Sequence, residues 1–165
     1  MPRSTKPAPP TIIEVIARAA LFRHDRLLVC WNLSGNYGYL PGGHVEPNES
    51  AAAALARELI EEARQPIKVG QLLCVHQNRF STAKRVHHEL NLVYSAGLTG
   101  PGAKAKLPAI TAAEDDLDFR WLSRAELKAA DFRPEPARLW LLKNWRALSG
   151  AKWPTQRIDT LATLN

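Results

Sequence analysis

The chain has 165 residues, of which 45% are hydrophobic and 23% charged, a composition typical of one globular domain with a sizeable core. The net charge of +6 favours an anionic partner, either a phosphorylated small molecule or a nucleic acid. No stretch is long and apolar enough to predict a membrane span, and Glu14 and Arg18 interrupt the first apolar run, so we expect no signal peptide there. Two cysteines, Cys30 and Cys74, are too few for a disulfide framework, so we expect buried thiols and a cytoplasmic protein.

The first part of the chain predicts a β-hairpin and then a helix. Ile12–Phe22 and Leu27–Trp31 are apolar runs rich in β-branched and aliphatic residues, separated by a short polar turn. After a loop, Ser50 is suited to cap an alanine-rich helix that continues to about Ala63, and Pro66 ends it.

The second part predicts more strands and two further helices. Ile67–Val75 and Val86–Ala96 indicate strands, which we expect to be joined by a polar, basic stretch at residues 78–85. A long connection then leads to another strand, Leu117–Leu122. The last two helices are expected after Ser123 and after Pro134 or Pro136. This order of elements favours a mixed sheet with helices on its faces.

The stretch Gly43–Glu62 carries the strongest functional signal. Its helical part places Glu58, Glu61 and Glu62 at positions i, i+3 and i+4, so one turn brings the three carboxylates together. Like charges at this spacing cost an isolated helix roughly 0.2–0.5 kcal/mol per pair. A hard divalent cation removes that cost, because Mg²⁺ and Mn²⁺ prefer oxygen ligands. The segment therefore predicts a metal site.

The spacing of this stretch resembles the signature box of the Nudix hydrolases. Gly43 is followed after five residues by Glu49 and, after seven more, by Arg57–Glu62, which reads RELIEE. Two positions after the paired glutamates the family normally has a glycine and then an apolar residue. This chain has Arg64 and Gln65 there, so the glycine that normally ends the helix is missing.

The resemblance implies an α/β fold, the Nudix-type α/β/α sandwich with a mixed β-sheet. We expect it to occupy residues 11–150, between a flexible N-terminal tail of residues 1–10 and a C-terminal tail of residues 151–165. It also implies a Mg²⁺- or Mn²⁺-dependent hydrolase in which water attacks a phosphorus of a nucleoside diphosphate linked to another group X. Dimerisation is common in the resembled family, so a homodimer is compatible with it.

The resemblance also assigns roles to residues. Arg57 orients the carboxylates, and Glu49 either touches a metal or acts on water. The implied metal ligands are Gly42, through its backbone carbonyl, and Glu58, Glu61 and Glu62. Family members often use a general base outside the box, and three carboxylates remain candidates here: Glu49, Glu89 and Glu114.

Substrate-binding residues are predicted on weaker grounds. Arg79 and Phe80 combine a positive charge with an aromatic ring, which suits a phosphate and a stacked base, although such a stretch also fits an exposed hairpin loop. Tyr37 precedes the box and is a candidate for the pocket wall. His44 follows the glycines and is a candidate for contact with a phosphate.

Two other functions share these features. The same site would suit capped or triphosphorylated RNA ends, for which the positive charge is useful, but no separate RNA-binding motif supports nucleic acid as a partner. A regulatory module that binds a nucleotide without turnover is the other alternative.

Overall fold

The computed structural model describes residues 10–82, 84–150, 152 and 157–163. Residues 1–9 of the expected N-terminal tail lie outside this part. The strands are β1 (Thr11–Arg23), β2 (Arg26–Asn32), β3 (Tyr37–Tyr39), β4 (Ile67–Ser81), β5 (Val86–Leu98), β6 (Leu117–Leu122) and β7 (Asp159–Thr163). The helices are α1 (Ala51–Ala63), α2 (Arg124–Ala129) and α3 (Glu135–Ser149), and a short 3₁₀ turn covers Gly100–Ala103.

The described strands form one mixed sheet in the order β3-β2-β1-β5-β4-β7, with β6 paired to β2. The pairs β1–β5 and β4–β7 are parallel, and the others are antiparallel. The long parallel pair runs from Thr11 opposite Val86 to Leu21 opposite Ala96. This arrangement confirms the predicted α/β class, and the predicted hairpin of β1 and β2 is present.

Helices cover both faces of the sheet. Side chains alternate along β1, so successive residues pack into two hydrophobic cores, one on each face. Ala17, Ala19 and Leu21 pack in one cluster with the buried side of α1. Ala20, between them in sequence, belongs to the other cluster, which includes Trp145 and other residues of α3. These two layers complete the predicted α/β/α sandwich. Both cysteines are free and buried, as predicted.

Helix α1 is held rigidly, which matters because it carries the glutamates. The Ser50 side chain accepts a hydrogen bond of 3.2 Å from the Ala53 amide and so caps the N-terminus. Leu55 and Leu59 are completely buried against the sheet. Since the apolar side of the helix is fixed in this way, the polar edge projects its carboxylates from a fixed backbone.

The exit of α1 is made without the usual glycine. Arg64 adopts the left-handed conformation, with φ of 52° and ψ of 29°. Its amide donates to the Ile60 carbonyl and the Gln65 amide donates to the Leu59 carbonyl, each at 3.0 Å. The helix thus ends in a left-handed cap despite the departure from the family pattern, and the cap has an arginine where glycine is normally favoured.

We expect Arg64→Gly to raise the free energy of unfolding by about 0.5–1 kcal/mol, because a side chain in the left-handed region costs about 1–2 kcal/mol and the extra freedom of glycine in the unfolded chain offsets part of the gain. Urea titration of the two proteins measures the difference. A destabilised variant would show that the arginine side chain contributes more than its backbone conformation costs.

Two features differ in extent from the sequence-based expectations. Strand β4 continues to Ser81, so the prediction that residues 78–85 form a connection is wrong for its first half. Residues 78–81 pair with β5, which satisfies their backbone hydrogen-bonding groups, so the strand pair continues to Ser81 opposite Val86. Residues 159–163, within the expected C-terminal tail, form β7 and extend the sheet beside β4.

Candidate active site

A cavity of about 610 Å³ opens between the glycine loop, the carboxylate edge of α1 and the paired strands β4 and β5. Its walls combine aromatic rings, two guanidinium groups, carboxylates and an amide. The lining residues are Arg18, Tyr37, Tyr39, Gly42, Gly43, His44, Glu58, Glu62, Asn78, Phe80, Glu89, Arg133 and Pro134. Such a mixture suits a ligand that is anionic at one end and has an aromatic ring at the other.

Glycine is required at positions 42 and 43 of the loop because neighbouring atoms leave no space for a Cβ. Gly42 has a φ of 124°, and a Cβ there would overlap the Ala17 carbonyl oxygen. A Cβ on Gly43 would instead overlap the Glu58 carboxylate. The loop is pinned to β1, since the Ala17 amide donates to the Gly43 carbonyl at 2.9 Å. Backbone and carboxylate therefore meet at one point on the cavity wall.

Arg57 organises the acidic edge of α1. Its guanidinium binds Glu49 through two hydrogen bonds of 2.7 and 3.3 Å, and it also reaches Glu58 at 2.9 Å and Glu61 at 3.0 Å. A further bond of 3.1 Å goes to the His44 carbonyl and ties the helix to the glycine loop. The Arg57 hydrogen bonds hold the pKa of Glu49 below its ordinary value. Arg57 thus contacts three carboxylates and the glycine loop, and its orienting role in the reaction stays a prediction.

Among the glutamates of α1, Glu62 is the one to which Arg57 makes no hydrogen bond in the described structure. Its Oε2 atom is buried and has no hydrogen-bond partner within the described part of the chain. Burial, followed by the nearby charge of Glu58, raises the pKa of Glu62 to about 7, and Arg18 opposes this shift. A buried oxygen in this condition favours a proton or a cation as its missing partner.

Arg18 is a site residue that the sequence analysis did not find. From β1 it donates to the Leu40 carbonyl at 3.2 Å, to the Gly42 carbonyl and, at 3.4 Å, to Asn91 Oδ1. Its guanidinium also lies 5.3 Å from the ring centre of Tyr39. The available signal was an arginine flanked by apolar residues within a strand, which often marks a polar pocket beside the core.

A second arginine closes the opposite side of the cavity. Arg133 lies over the ring of Tyr37, with 4.3 Å to the ring centre, and its guanidinium pairs with Asp131 at 2.8 Å. The Arg133 amide donates to the Gly38 carbonyl, also at 2.8 Å, so this segment is attached to β3. No local pattern identifies Arg133, because it comes almost one hundred residues after the strand to which it is attached.

His44 is held at the cavity by a carboxylate on β1. Glu14 contacts His44 Nε2 at 3.0 Å and His87 Nδ1 at 2.7 Å. The His87 ring stacks on Phe80, with 4.8 Å between ring centres. Burial raises the pKa of Glu14, but the hydrogen bonds from His87 and His44 outweigh burial, so that its pKa lies below the ordinary value. His44 and Phe80, two predicted binding residues, thus share one anchored group.

The remaining predicted site residues, Glu89, Glu114 and Arg79, differ in whether they line the cavity. Glu89 lines the cavity, whereas Glu114 is exposed and outside the lining. Glu114 acts at a distance, since its charge contributes to the raised pKa of Glu62. Arg79 is exposed and outside the lining, because side chains alternate along β4 and its neighbours Asn78 and Phe80 face the cavity.

A family model of the NUDIX domain matches residues 14–141, which is more than half of the chain. The chain belongs to the Nudix family. It is accordingly a Nudix-type pyrophosphohydrolase, and the resemblance drawn from the carboxylate box is confirmed.

Solved structures share this Nudix fold. The E. coli ORF135 protein is 24% identical, and the match covers 86% of this chain and 94% of that one with a TM-score of 0.58. An ADP-ribose pyrophosphatase from Streptococcus suis is 15% identical over 91% and 98% of the two chains, with a TM-score of 0.60. A UDP-X diphosphatase is 18% identical over 96% and 70%, with a TM-score of 0.63. At these identities the similarity shows the fold alone.

Nudix hydrolases generally use divalent metals, and the residues present here fit such an ion. No three His, Cys, Asp or Glu side chains in the described ranges converge as a ready-made metal cluster. Mg²⁺ does not need one, since it is commonly bound by one or two carboxylates, water and substrate phosphate. The buried Oε2 of Glu62, next to the charge of Glu58, supplies the acceptor that such an ion requires. The Gly42 carbonyl already accepts a hydrogen bond from Arg18, so its part in metal binding stays a prediction.

The helices of the described residues include none that is long and apolar enough to cross a membrane.

Proposed function

We propose that this Nudix enzyme is a metal-dependent hydrolase of a nucleoside diphosphate linked to another group X. The single observation that carries the proposal is the buried, unpaired Glu62 oxygen in a cavity that also contains Arg18, Arg133 and aromatic walls. Two proteins of the same fold are named for ADP-ribose and UDP-X, which supports this class of substrate. The free thiols support a reducing compartment such as the cytoplasm.

The proposed ligands of Mg²⁺ or Mn²⁺ are Glu58 and Glu62. When bound, the ion would neutralise the diphosphate charge and lower the pKa of a water molecule. Arg57 keeps Glu58 in place through its 2.9 Å hydrogen bond and draws Glu61 toward the same edge. Gly43 leaves the space that the Glu58 carboxylate occupies. The protein thus holds its acidic groups before the substrate arrives, which avoids the cost of reorganising them during the reaction.

In the proposed reaction a water oxygen attacks one phosphorus of the diphosphate. The new P–O bond forms as the bridging P–O bond breaks, and the departing phosphate keeps the bonding electron pair. The water proton passes to a carboxylate of the cavity, and Glu58, Glu62 and Glu89 are the carboxylates that line it. Arg18 and Arg133 lie on the same walls and are suited to compensate phosphate charge.

The test is phosphate release from a panel of nucleotide sugars, ADP-ribose, dinucleotides and nucleoside triphosphates, with Mg²⁺, with Mn²⁺ and with EDTA. We expect turnover of at least one nucleoside diphosphate derivative that requires the metal. Asp115→Asn is a matched control for Glu62→Gln, because it makes the same carboxylate-to-amide change at an exposed residue outside the cavity lining. It should keep full activity.

Two outcomes would contradict the proposal. Preferential turnover of 5′-triphosphorylated RNA over every small molecule would exclude the small-molecule substrate class. Nucleotide binding without turnover under any metal condition would favour the sensing module instead.

A further inference from the structure

Asn78 and Glu89 form a fixed polar pair on the cavity wall. They lie directly opposite each other on β4 and β5. The Asn78 side-chain nitrogen donates to Glu89 Oε2 at 3.2 Å, and the side-chain nitrogen of Asn91 donates to the same oxygen at the same distance. Asn91 is in turn fixed by Arg18, which donates to its Oδ1 at 3.4 Å. Glu89 is therefore held from two sides through one oxygen.

This arrangement leaves one acceptor on each of two neighbouring side chains. Among the described residues, the side-chain hydrogen bonds of this pair go to Glu89 Oε2, so Glu89 Oε1 and Asn78 Oδ1 remain as acceptors on two side chains that line the cavity. The ionised carboxylate only accepts hydrogen bonds, so the Asn78 amide turns its nitrogen toward Glu89, and its Oδ1 is left as an acceptor for a ligand. A ligand that satisfies this pair must present two neighbouring donors.

An aromatic platform adjoins the acceptor pair. Phe80 is two residues beyond Asn78 and therefore faces the same side of β4, about 7 Å along the strand. Its ring is fixed by a nearly parallel stack on His87, at an interplanar angle of 5°, and the residue is still 41% exposed. A nucleobase that stacks on the Phe80 ring is large enough for its edge to reach Asn78 and Glu89.

We propose that Asn78 and Glu89 select a guanine base, which rests on the proposed function because it names the substrate of the same site. Guanine presents two adjacent donors on one edge, the ring N1–H and the 2-amino group. Adenine and cytosine present a donor next to an acceptor, and uracil flanks one donor with two acceptors. Each of these places a ligand acceptor against a protein acceptor, so the pair discriminates by repulsion as well as by attraction.

Binding of GMP, IMP and AMP to the wild-type protein, measured by titration calorimetry, tests the selection without requiring turnover. IMP is the matched ligand, because hypoxanthine lacks only the 2-amino group of guanine. We expect GMP to bind roughly 10- to 100-fold more tightly than IMP or AMP, the discrimination typical of a good pair of base contacts. Equal affinities, or binding of none of the three, would overturn the proposal.

Glu89→Gln should reverse the preference. The glutamine oxygen would keep the bonds from Asn78 and Asn91, so its nitrogen would face the cavity and turn one acceptor into a donor. The variant should lose the preference for GMP and gain affinity for AMP. Gln77→Ala is the control, since Gln77 is exposed and lies outside the cavity lining. It should bind all three ligands as the wild type does.

Kinetics separate this role from catalysis. We expect Glu89→Gln to raise KM about tenfold or more for guanine substrates and to lower KM for adenine substrates, because the change acts through the contact with the base. A fall of kcat by 100-fold for all nucleotides, with base preference unchanged, would show that Glu89 acts on water and would overturn the proposal. Guanine selection without hydrolysis would leave this inference standing and contradict the proposed function. Hydrolysis without guanine selection would support the proposed function and overturn this inference.

Discussion

Glu62→Gln is expected to lower kcat/KM for diphosphate hydrolysis by about 100-fold or more, because it removes the negative charge of a buried carboxylate whose Oε2 has no hydrogen-bond partner in the described structure. The same change is expected to stabilise the metal-free protein at pH 8. A buried carboxylate without a partner costs free energy when ionised, and glutamine has a similar shape and no charge. Loss of function and gain of stability in one variant would identify a functional site rather than a structural residue.

The size of the stability effect depends on pH. Burial, with the charge of Glu58, raises the pKa of folded Glu62 from the ordinary 4.5 to about 7. The folded state therefore binds more protons than the unfolded state between these values, so the contribution of Glu62 to stability is full below pH 4.5 and is lost as the pH rises through about 7. After a reduction for solvent screening, we expect the loss to be about 1–2 kcal/mol.

Urea unfolding in EDTA at pH 5 and pH 8 measures this difference for the wild type and for Glu62→Gln. The two proteins should converge at pH 5 and separate at pH 8, where the variant is more stable. Added Mg²⁺ should stabilise the wild type more than the variant, because the ion binds the folded state through Glu62. A variant that is less stable than the wild type at pH 8 would contradict this interpretation of the site.

Although the two glycines are adjacent, Gly42→Ala is expected to lower mainly the folding stability, and Gly43→Ala mainly kcat. At Gly42 the added Cβ meets the Ala17 backbone carbonyl and the φ of 124° is unfavourable, so we expect a loss of about 2–4 kcal/mol of folding free energy. At Gly43 the added Cβ meets the Glu58 carboxylate, which is able to rotate away. We expect a stability loss below about 1 kcal/mol there and a fall in kcat of about tenfold or more.

Thermal unfolding together with activity at a temperature where both variants are folded distinguishes these effects. Gly43→Ala should retain the wild-type melting temperature to within a few degrees while losing activity. Full activity in Gly43→Ala would show that the close approach of loop and Glu58 is not needed for the reaction. A Gly42→Ala protein as stable as the wild type would show that the loop relaxes without cost.

The parts of the site that could be predicted from the sequence are those fixed by local geometry. The spacing of Glu58, Glu61 and Glu62 on one helix determines their side, and the Arg57–Glu61 contact follows from i,i+4 spacing. Ser50 as helix cap is likewise a local feature. Each depends on fewer than ten residues of chain.

The rest depends on contacts between distant parts of the chain. Arg18 meets Asn91, and Glu14 meets His87, because β1 and β5 pair in parallel in one particular register. Arg133 reaches the cavity because its segment attaches to β3. Polar residues also hid the true length of β4, since hydrophobic alternation fails where a strand lines a polar cavity instead of a core.

The most direct test of the central claim is hydrolysis in ¹⁸O-labelled water, with mass analysis of both products of the preferred nucleoside diphosphate substrate. Attack at phosphorus predicts one ¹⁸O atom in a phosphate-containing product, only in the presence of a divalent metal, and labelled product from Glu62→Gln forming more slowly by about 100-fold or more. Label in the hydroxyl of group X, or equal turnover in EDTA, would contradict water attack at a diphosphate on this carboxylate edge.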